Sequence, residues 1–247
     1  MIWVLIPVFN EAEGISSFLK ALRRSLIPFG EFSIVLVDDG SSDDSKQVIL
    51  NELLPTDYSI HFEHNKGPGA AFLEGFEFIL KKAHHDDSIL TLEGDGTCDL
   101  NSLTAMFEEL KSCDLVLASV YLTTNGFSKT SAWRMFVSKM ANGISRIYLK
   151  LPHKTLTSFY RLWRVELVRK IKLSYPYLIE EPGFICQVEL LYKAKLVGAN
   201  IVEVPTRVFS DKRIGKSKMK LLDTAISHLI FLLKSNKFKQ QTSAKSI

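Results

Sequence analysis

The chain has 247 residues, 46% apolar and 23% charged, enough for a sizeable core; this excludes a disulfide-stapled miniprotein and a disordered tail. Its net charge of +4 is unevenly placed, with −4 over residues 1–211 and +8 over residues 212–247. A mildly acidic body with a basic end argues against nucleic acid and leaves an anion site or an anionic membrane surface near the C-terminus.

The first third alternates strand and helix patterns. Residues 2–6 form an apolar, β-branched run that meets Pro7, and Ile15, Phe18, Leu19 and Leu22 then share one helical face. Strand 32–37 ends in Asp38-Asp39-Gly40-Ser41, and a helix over 42–53 opens with capping Ser and Asp residues. A third strand at 58–63 leads through the glycine-rich turn 66–69 into a helix over 70–83. Strand 88–93, a helix near 100–110 and strand 115–119 follow. Beyond residue 120 a helix is expected over 131–151, an irregular segment with aromatics, hydroxyls and two arginines over 155–164, a helix over 183–196 and a strand over 200–205. A basic loop over 207–220 precedes the apolar helix 221–233, which Asp223 and His228 interrupt. That helix is shorter than the roughly 18–20 residues that span a bilayer, though long enough to lie on its surface.

No basic leader or small-residue cleavage site precedes Pro7, so a secreted protein is not expected. Cys98, Cys113 and Cys186 fit neither a zinc pattern nor a disulfide framework, as suits a reducing compartment. The expected location is the cytoplasm, extending to the cytoplasmic face of a membrane.

Alternating apolar strands and helices predict an α/β fold with a mostly parallel central sheet flanked by helices. In such sheets ligands gather beyond the C-terminal strand ends. The clusters at 7–11, 38–41, 65–69 and 93–95 all follow strands, so the pattern places them on one edge.

Glu93-Gly94-Asp95 offers two carboxylates around a glycine, a donor set suited to Mg²⁺ or Mn²⁺ shared with a phosphate oxygen. A solvated acidic turn is the simpler alternative. Of Asp38 and Asp39, one can accept hydrogen bonds from a nucleobase or ribose while the other caps a helix or holds the loop. Asn65-Lys66-Gly67-Pro68-Gly69 suits close passage of phosphate, or is an ordinary strand-to-helix turn. It matches neither the Walker pattern nor the dinucleotide GxGxxG. His84, His85 and His153 have no ligand spacing and receive no role.

Ile6-Pro7-Val8-Phe9-Asn10-Glu11, Val37-Asp38-Asp39-Gly40-Ser41 and Asn65-Lys66-Gly67-Pro68-Gly69-Ala70-Ala71, in this order and spacing, are similar to the motifs of inverting nucleotide-sugar glycosyltransferases of family 2. Within that family the chain most resembles the polyprenyl-phosphate (dolichyl-phosphate) mannosyl- and glucosyltransferases, over about residues 2–219. The resemblance implies the GT-A (nucleotide-diphospho-sugar transferase) fold. Donor contacts would come from Pro7, Phe9, Glu11, Asp38, Asp39, Lys66, Gly69, Glu93 and Gly94. Glu93 and Asp95 stand where the family carries Asp-x-Asp, with Thr97 where the lipid-phosphate branch has a metal-facing glutamine.

Further on, Ala118-Ser119-Val120-Tyr121 matches Gly-Ser-Arg-Tyr without its arginine. Trp133-Arg134, Ser138 and Asn142 follow the family's Arg-x-x-x-Ser-x-x-x-Asn helix, which makes Arg134 and Ser138 candidate phosphate contacts. Thr155 to Arg161 stands where the family reads Asp-x-Thr-Ser-Gly-Phe-Arg. Thr157, Ser158 and Arg161 are retained there as candidate acceptor contacts; Thr155 and Phe159 depart from the pattern. Glu203-Val204-Pro205 and Arg213-x-Gly215-x-Ser217-Lys218 complete the match. Asp95, Arg213 and Lys218 would be the catalytic groups, the last two gripping diphosphate and acceptor phosphate, as guanidinium and ammonium groups do.

The expected reaction moves a hexosyl group from a GDP- or UDP-linked sugar, with inversion, to a polyprenyl phosphate, with Mg²⁺ or Mn²⁺ as cofactor. A lipid phosphate is already anionic and needs little general-base help. Two rivals are a same-fold transferase acting on a saccharide, glycolipid or protein hydroxyl, and a non-catalytic nucleotide-sugar-binding protein. The expected domains are a transferase unit over 1–219 and, over 220–247, a membrane-associating amphipathic helix with a basic flexible tail.

Overall fold

Apolar runs flanked by turn residues become strands, and amphipathic stretches between them become the covering helices. The computed structural model describes residues 1–124, 126–128, 132–212 and 221–244. In chain order the elements are β1 (Ile2–Val8), α1 (Ile15–Leu26), β2 (Phe32–Asp38), α2 (Ser45–Glu52), β3 (Tyr58–His61), α3 (Pro68–Lys82) and β4 (Ser88–Thr91). Next are α4 (Leu103–Leu110), β5 (Leu115–Ser119), β6 (Phe127–Ser128), α5 (Ala132–Leu149), β7 (Arg161–Arg164) and α6 (Val165–Ser174). Then come α7 (Cys186–Leu196), β8 (Ile201–Pro205), β9 (Val208–Phe209), α8 (Leu221–Lys234) and α9 (Asn236–Ala244).

Seven strands form one sheet in the order β3-β2-β1-β4-β7-β5-β8, and β6 pairs with β9 beside it. Every neighbouring pair in the large sheet is parallel except those made by β7, which runs antiparallel to β4 and β5. Side-chain alternation divides the core between the two faces. Trp3, Leu5, Val35 and Val37 join α3, α6 and α7 on one side; Ile2, Val4, Ile6, Ile34 and Leu36 join α1 and α4 on the other. Both faces are covered, which is why these strands read as continuous apolar runs.

The structure departs from the sequence expectations in instructive places. β1 continues through Pro7 to Val8, because the β1–β4 ladder ends at Leu5–Thr91 and the missing N–H breaks no bond to β4. α3 starts at Pro68, whose fixed φ suits the first helical turn. The segment expected to be irregular over 155–164 ends in β7, the strand that joins the two halves of the sheet. Residues 165–174, left without an expected element, form α6.

Residues 236–244, expected as a flexible tail, are helical. Phe231 and Leu232 of α8 and Phe238 of α9 bury into the same core cluster as Trp3 and Leu5. No helix among the described residues is long and apolar enough to cross a membrane.

Candidate functional site

Strand register builds the site. Val8 lies opposite Asp38 and Leu5 opposite Thr91, so the ends of β2, β1 and β4 stand side by side. A Cβ on Gly94 would lie 3.4 Å from the Pro7 carbonyl oxygen and 3.3 Å from Ile15 Cδ1, so the 93–95 turn rests against the end of β1. Asn10 takes a left-handed conformation (φ 55°), which asparagine tolerates well, and aims its side chain at the next loop. Its carboxamide oxygen accepts the Ser42 N–H at 2.8 Å, while Ser41 and Ser45 hydroxyls accept the Asn10 and Glu11 amides at 2.9 and 2.7 Å. These bonds lace residues 9–12 to residues 41–45, leaving Pro7, Phe9 and Glu11 half-buried beside Asp38.

The adjacent aspartates divide their work. Asp38 accepts the Ser41 N–H at 3.1 Å through Oδ1 and places Oδ2 3.2 Å from His61 Nδ1. Asp39 accepts the Lys66 N–H at 2.7 Å, the Gly67 N–H at 3.0 Å and the Asn65 side-chain amide at 3.0 Å. Burial raises the Asp39 carboxyl above its ordinary pKa, against the pull of those backbone donors. Asp39 therefore holds the 65–67 turn, the loop-holding role that one of the two carboxylates was expected to take. Lys66 Nζ sits 4.6 Å over the Phe62 ring, and the Gly69 N–H donates to the Pro182 carbonyl at 2.6 Å.

Asp95 Oδ1 accepts both the backbone N–H and the hydroxyl of Thr97, at 3.0 and 2.8 Å. The Thr97 hydroxyl, at the position where the resemblance implies a metal contact, donates to the Asp95 carboxylate. Asp95 also lines a cleft of ≈ 320 Å³ with Ser17, Phe18, Cys98 and Phe209, so the turn is open to solvent. Glu93 and Asp95 supply hard oxygen donors suited to Mg²⁺ or Mn²⁺. Among the described residues no group of three or more His, Cys, Asp or Glu could hold a metal. Glu93 and Asp95 are the residues that would hold such a cation.

The other half of the sheet carries the expected acceptor residues. Thr155 Oγ1 lies 2.7 Å from Ser119 Oγ, and Glu203 accepts the Lys154 and Thr155 amides, each at 2.8 Å. These contacts fix the turn that leads to half-buried Thr157 and Ser158. Phe159 fills the family's glycine position by stacking on Phe72 at 5.1 Å and meeting Phe184 edge-on at 5.7 Å.

Arg161, expected at a phosphate, is fully buried. Its Nε, Nη1 and Nη2 donate to the carbonyls of Ser158, Gln187 and Leu156 at 2.8, 2.9 and 2.6 Å. Desolvation lowers its pKa to about 9, which leaves it charged at neutral pH. In this position it supports the loop from below and has no surface to offer a phosphate.

Arg134 and Ser138 fall within α5, with side chains outside the described residues, as are Arg213 and Lys218. In β9, the Phe209 N–H donates to the Thr97 carbonyl at 2.9 Å. Sequence reasoning missed His61, the partner of Asp38, and the clasp that Glu203 makes. The signal for His61 lay in equal strand ends, since β2 and β3 place Asp38 opposite His61.

Comparison with known proteins gives concordant results. The chain is 29% identical over 221 residues to a polyprenol monophosphomannose synthase of Mycolicibacterium smegmatis, covering 87% of this chain and 80% of that protein. It is 29% identical over 218 residues to an undecaprenyl-phosphate mannosyltransferase of Micrococcus luteus, covering 87% and 86%. Glucosyl-3-phosphoglycerate synthase of Mycobacterium tuberculosis, solved with Mn²⁺ and UDP-glucose, superposes with a TM-score of 0.62 at 16% identity, covering 95% of this chain and 78% of that one. That likeness establishes the shared GT-A fold. The family model for glycosyl transferase family 2 matches residues 3–172, and with strand ends arranged as that fold requires, the chain belongs to glycosyl transferase family 2.

Proposed function

We propose that the protein transfers a mannosyl group from a nucleoside-diphosphate mannose, with inversion, to a polyprenyl phosphate. The observation that carries this reading is the convergence of Asp38, Glu11 and the Glu93–Asp95 pair on three adjacent strand ends. The polyprenyl-phosphate acceptor and the choice of mannose are supported by what the two curated relatives are named for.

The nucleoside would rest against Pro7, Phe9 and Glu11 and donate to Asp38, whose carboxylate Ser41 and His61 hold in place. Lys66 and Gly69 border this pocket, and Asp39 shapes it through the 65–67 turn. Glu93 and Asp95 would hold Mg²⁺ or Mn²⁺, which when bound neutralises charge on the departing diphosphate. An acceptor phosphate oxygen forms the new bond to the anomeric carbon from the face opposite the diphosphate as the old C–O bond breaks. No proton has to be removed from the acceptor, so no general base is required. Arg213 and Lys218 are assigned to the diphosphate and acceptor phosphate; Arg134, Ser138, Thr157 and Ser158 are assigned to the acceptor; and Arg161 supports the loop that carries Thr157 and Ser158. Thr155 and Phe159 have packing and hydrogen-bond partners of their own, which lessens the case for a hydroxyl acceptor.

The transferase domain is assigned to residues 1–219, with 220–247 as its membrane-facing end at the cytoplasmic leaflet. α5 packs against α8, and both carry apolar stripes in water: Met140, Ile144 and Ile147 on one, Ile226, Leu229 and Leu233 on the other. Ile147 is 82% and Leu233 77% exposed, with Lys150, Lys234 and Lys239 nearby in sequence and also exposed. Apolar stripes flanked by lysines suit an anionic leaflet.

The decisive experiment incubates the purified chain with GDP-mannose, UDP-glucose or UDP-N-acetylglucosamine, Mg²⁺ or Mn²⁺, and a short polyprenyl phosphate. Mass spectrometry should find polyprenyl-phosphomannose. Absence of transfer from every donor, with no nucleotide binding by calorimetry, would overturn the reading.

A further inference from the structure

A buried charge cluster under the 175–183 segment takes no part in the transfer chemistry. Glu189 and Lys193, one turn apart on α7, are both fully buried, with Nζ 2.6 Å from Oε1. Glu189 accepts the Glu180 N–H at 2.9 and 3.0 Å and the Glu181 N–H at 2.9 Å. Lys193 donates to the Tyr177 and Leu178 carbonyls at 2.8 and 3.3 Å. A buried ion pair is costly unless its remaining donors and acceptors are satisfied. Here main-chain groups of residues 177–181 satisfy them, which fixes that backbone in one conformation.

Each side of this cluster meets something of consequence. Lys193 Nζ lies 4.7 Å from the ring of Phe238 and 5.1 Å from that of Tyr175. Phe238, almost wholly buried, belongs to α9, and its neighbour Lys237 is paired with Glu180. On the far side, the Pro182 carbonyl accepts the Gly69 N–H at 2.6 Å. A Cβ would come within 2.5 Å of that carbonyl oxygen at Gly67 (φ 93°) and within 2.0 Å of the Glu181 carbonyl oxygen at Gly69. Backbone therefore lies on backbone at this contact, with no slack for a side chain. The same turn is held from its other side by Asp39.

We propose that Phe238 and Lys237 are positioning residues for the nucleotide pocket. α9 covers the Glu189–Lys193 pair, the pair fixes the Glu180–Pro182 backbone, and that ledge sets the 65–69 turn beside Asp38 and Asp39. The assignment rests on the reading of that turn as part of the donor pocket. It makes the last helix of the chain a determinant of donor affinity, although α9 supplies no ligand contact itself.

The test is hydrogen exchange by mass spectrometry on the full chain without ligand, comparing wild type with Phe238→Ala, Phe238→Leu and Lys237→Ala. In Phe238→Ala, amides of Lys66, Gly67, Gly69, Glu180 and Glu181 should exchange about tenfold faster while those of β1 and β2 keep their protection. Phe238→Leu, which retains cover, should restore most of it. Calorimetry with GDP and with UDP in Mg²⁺ should show the better ligand binding Phe238→Ala about 5–10-fold more weakly, with wild-type affinity returning in Phe238→Leu. A folded Phe238→Ala with unchanged exchange at both loops overturns the proposal. If that variant unfolds, Lys237→Ala decides: about 2–3-fold faster exchange at 180–181 and 66–69 supports it, and no change overturns it. A wild type that binds neither nucleotide defeats the donor reading, whereas coupled exchange between α9 and the turn would still establish the mechanical link.

Discussion

The loops that follow β1, β2 and β4 are closed by small acceptors, whereas those that lead into β5 and β7 rely also on inward-reaching cations. In the first group, short side-chain oxygens on Asn10, Asp39, Ser45 and Asp95 accept main-chain amides from their own turn or from an adjacent strand end. In the second, long cations reach into main-chain carbonyls: Arg161 holds three, and Arg164 holds those of Cys113 and Leu110 at 2.8 and 2.6 Å. Parallel strands with short crossovers bring their ends together by register alone, so small acceptors suffice to close the turns. The antiparallel β7 interrupts that regularity, and its neighbourhood is held by charge carried inward and satisfied there.

Breaking a carbonyl-holding cation should therefore cost more stability than breaking an amide-holding carboxylate. Arg161→Met leaves three buried carbonyls unpaired and should lower stability by about 3–5 kcal/mol, read by urea denaturation. Asp95→Asn should leave the melting temperature within a degree or two while kcat/KM falls about 100-fold, or about 2.7 kcal/mol in the barrier. Asp39→Ala frees the Lys66 and Gly67 amides; it should cost about 1–3 kcal/mol and weaken nucleotide binding in calorimetry.

The smallest effect lies away from the ligand edge, at Asp87. Desolvation pushes its carboxyl up, but the Met1 ammonium, the Trp3 indole and the His84 amide together hold it below the ordinary range. Its stabilisation is complete above about pH 4 and is lost as pH falls through the depressed value. The stability difference between wild type and Asp87→Asn should accordingly shrink below pH 4, measured by denaturant midpoints along the pH axis.

The same contrast governed what could be read from sequence. β1, β2, β4 and β5 were legible because strands buried on both faces are unbroken apolar runs, and their ends gave the site edge directly. β7 was not, since Arg161-Leu162-Trp163-Arg164 bears two charges in four residues, satisfied by carbonyls of the preceding loop and of the distant residues Gln187, Cys113 and Leu110. The two aspartates at 38 and 39 were legible as a pair. Their division was not, because it depends on the path of residues 65–67. α9 went unread for a similar reason: only the depth of Phe238 beside Lys193 gives that polar stretch a place in the core.

The position of β7 also has a consequence for how the chain is made. β3, β2, β1 and β4 can pair as soon as about residue 91 has left the ribosome, but β4 then presents an unpartnered edge. Its partner is Arg161–Arg164, some seventy residues later, and β5 has no place in the sheet until that strand arrives. At synthesis rates of about 5–20 residues per second, the half-built sheet waits several seconds with an apolar strand exposed. Substitutions that delay β7 should therefore lower soluble yield more than they lower the stability of the finished protein.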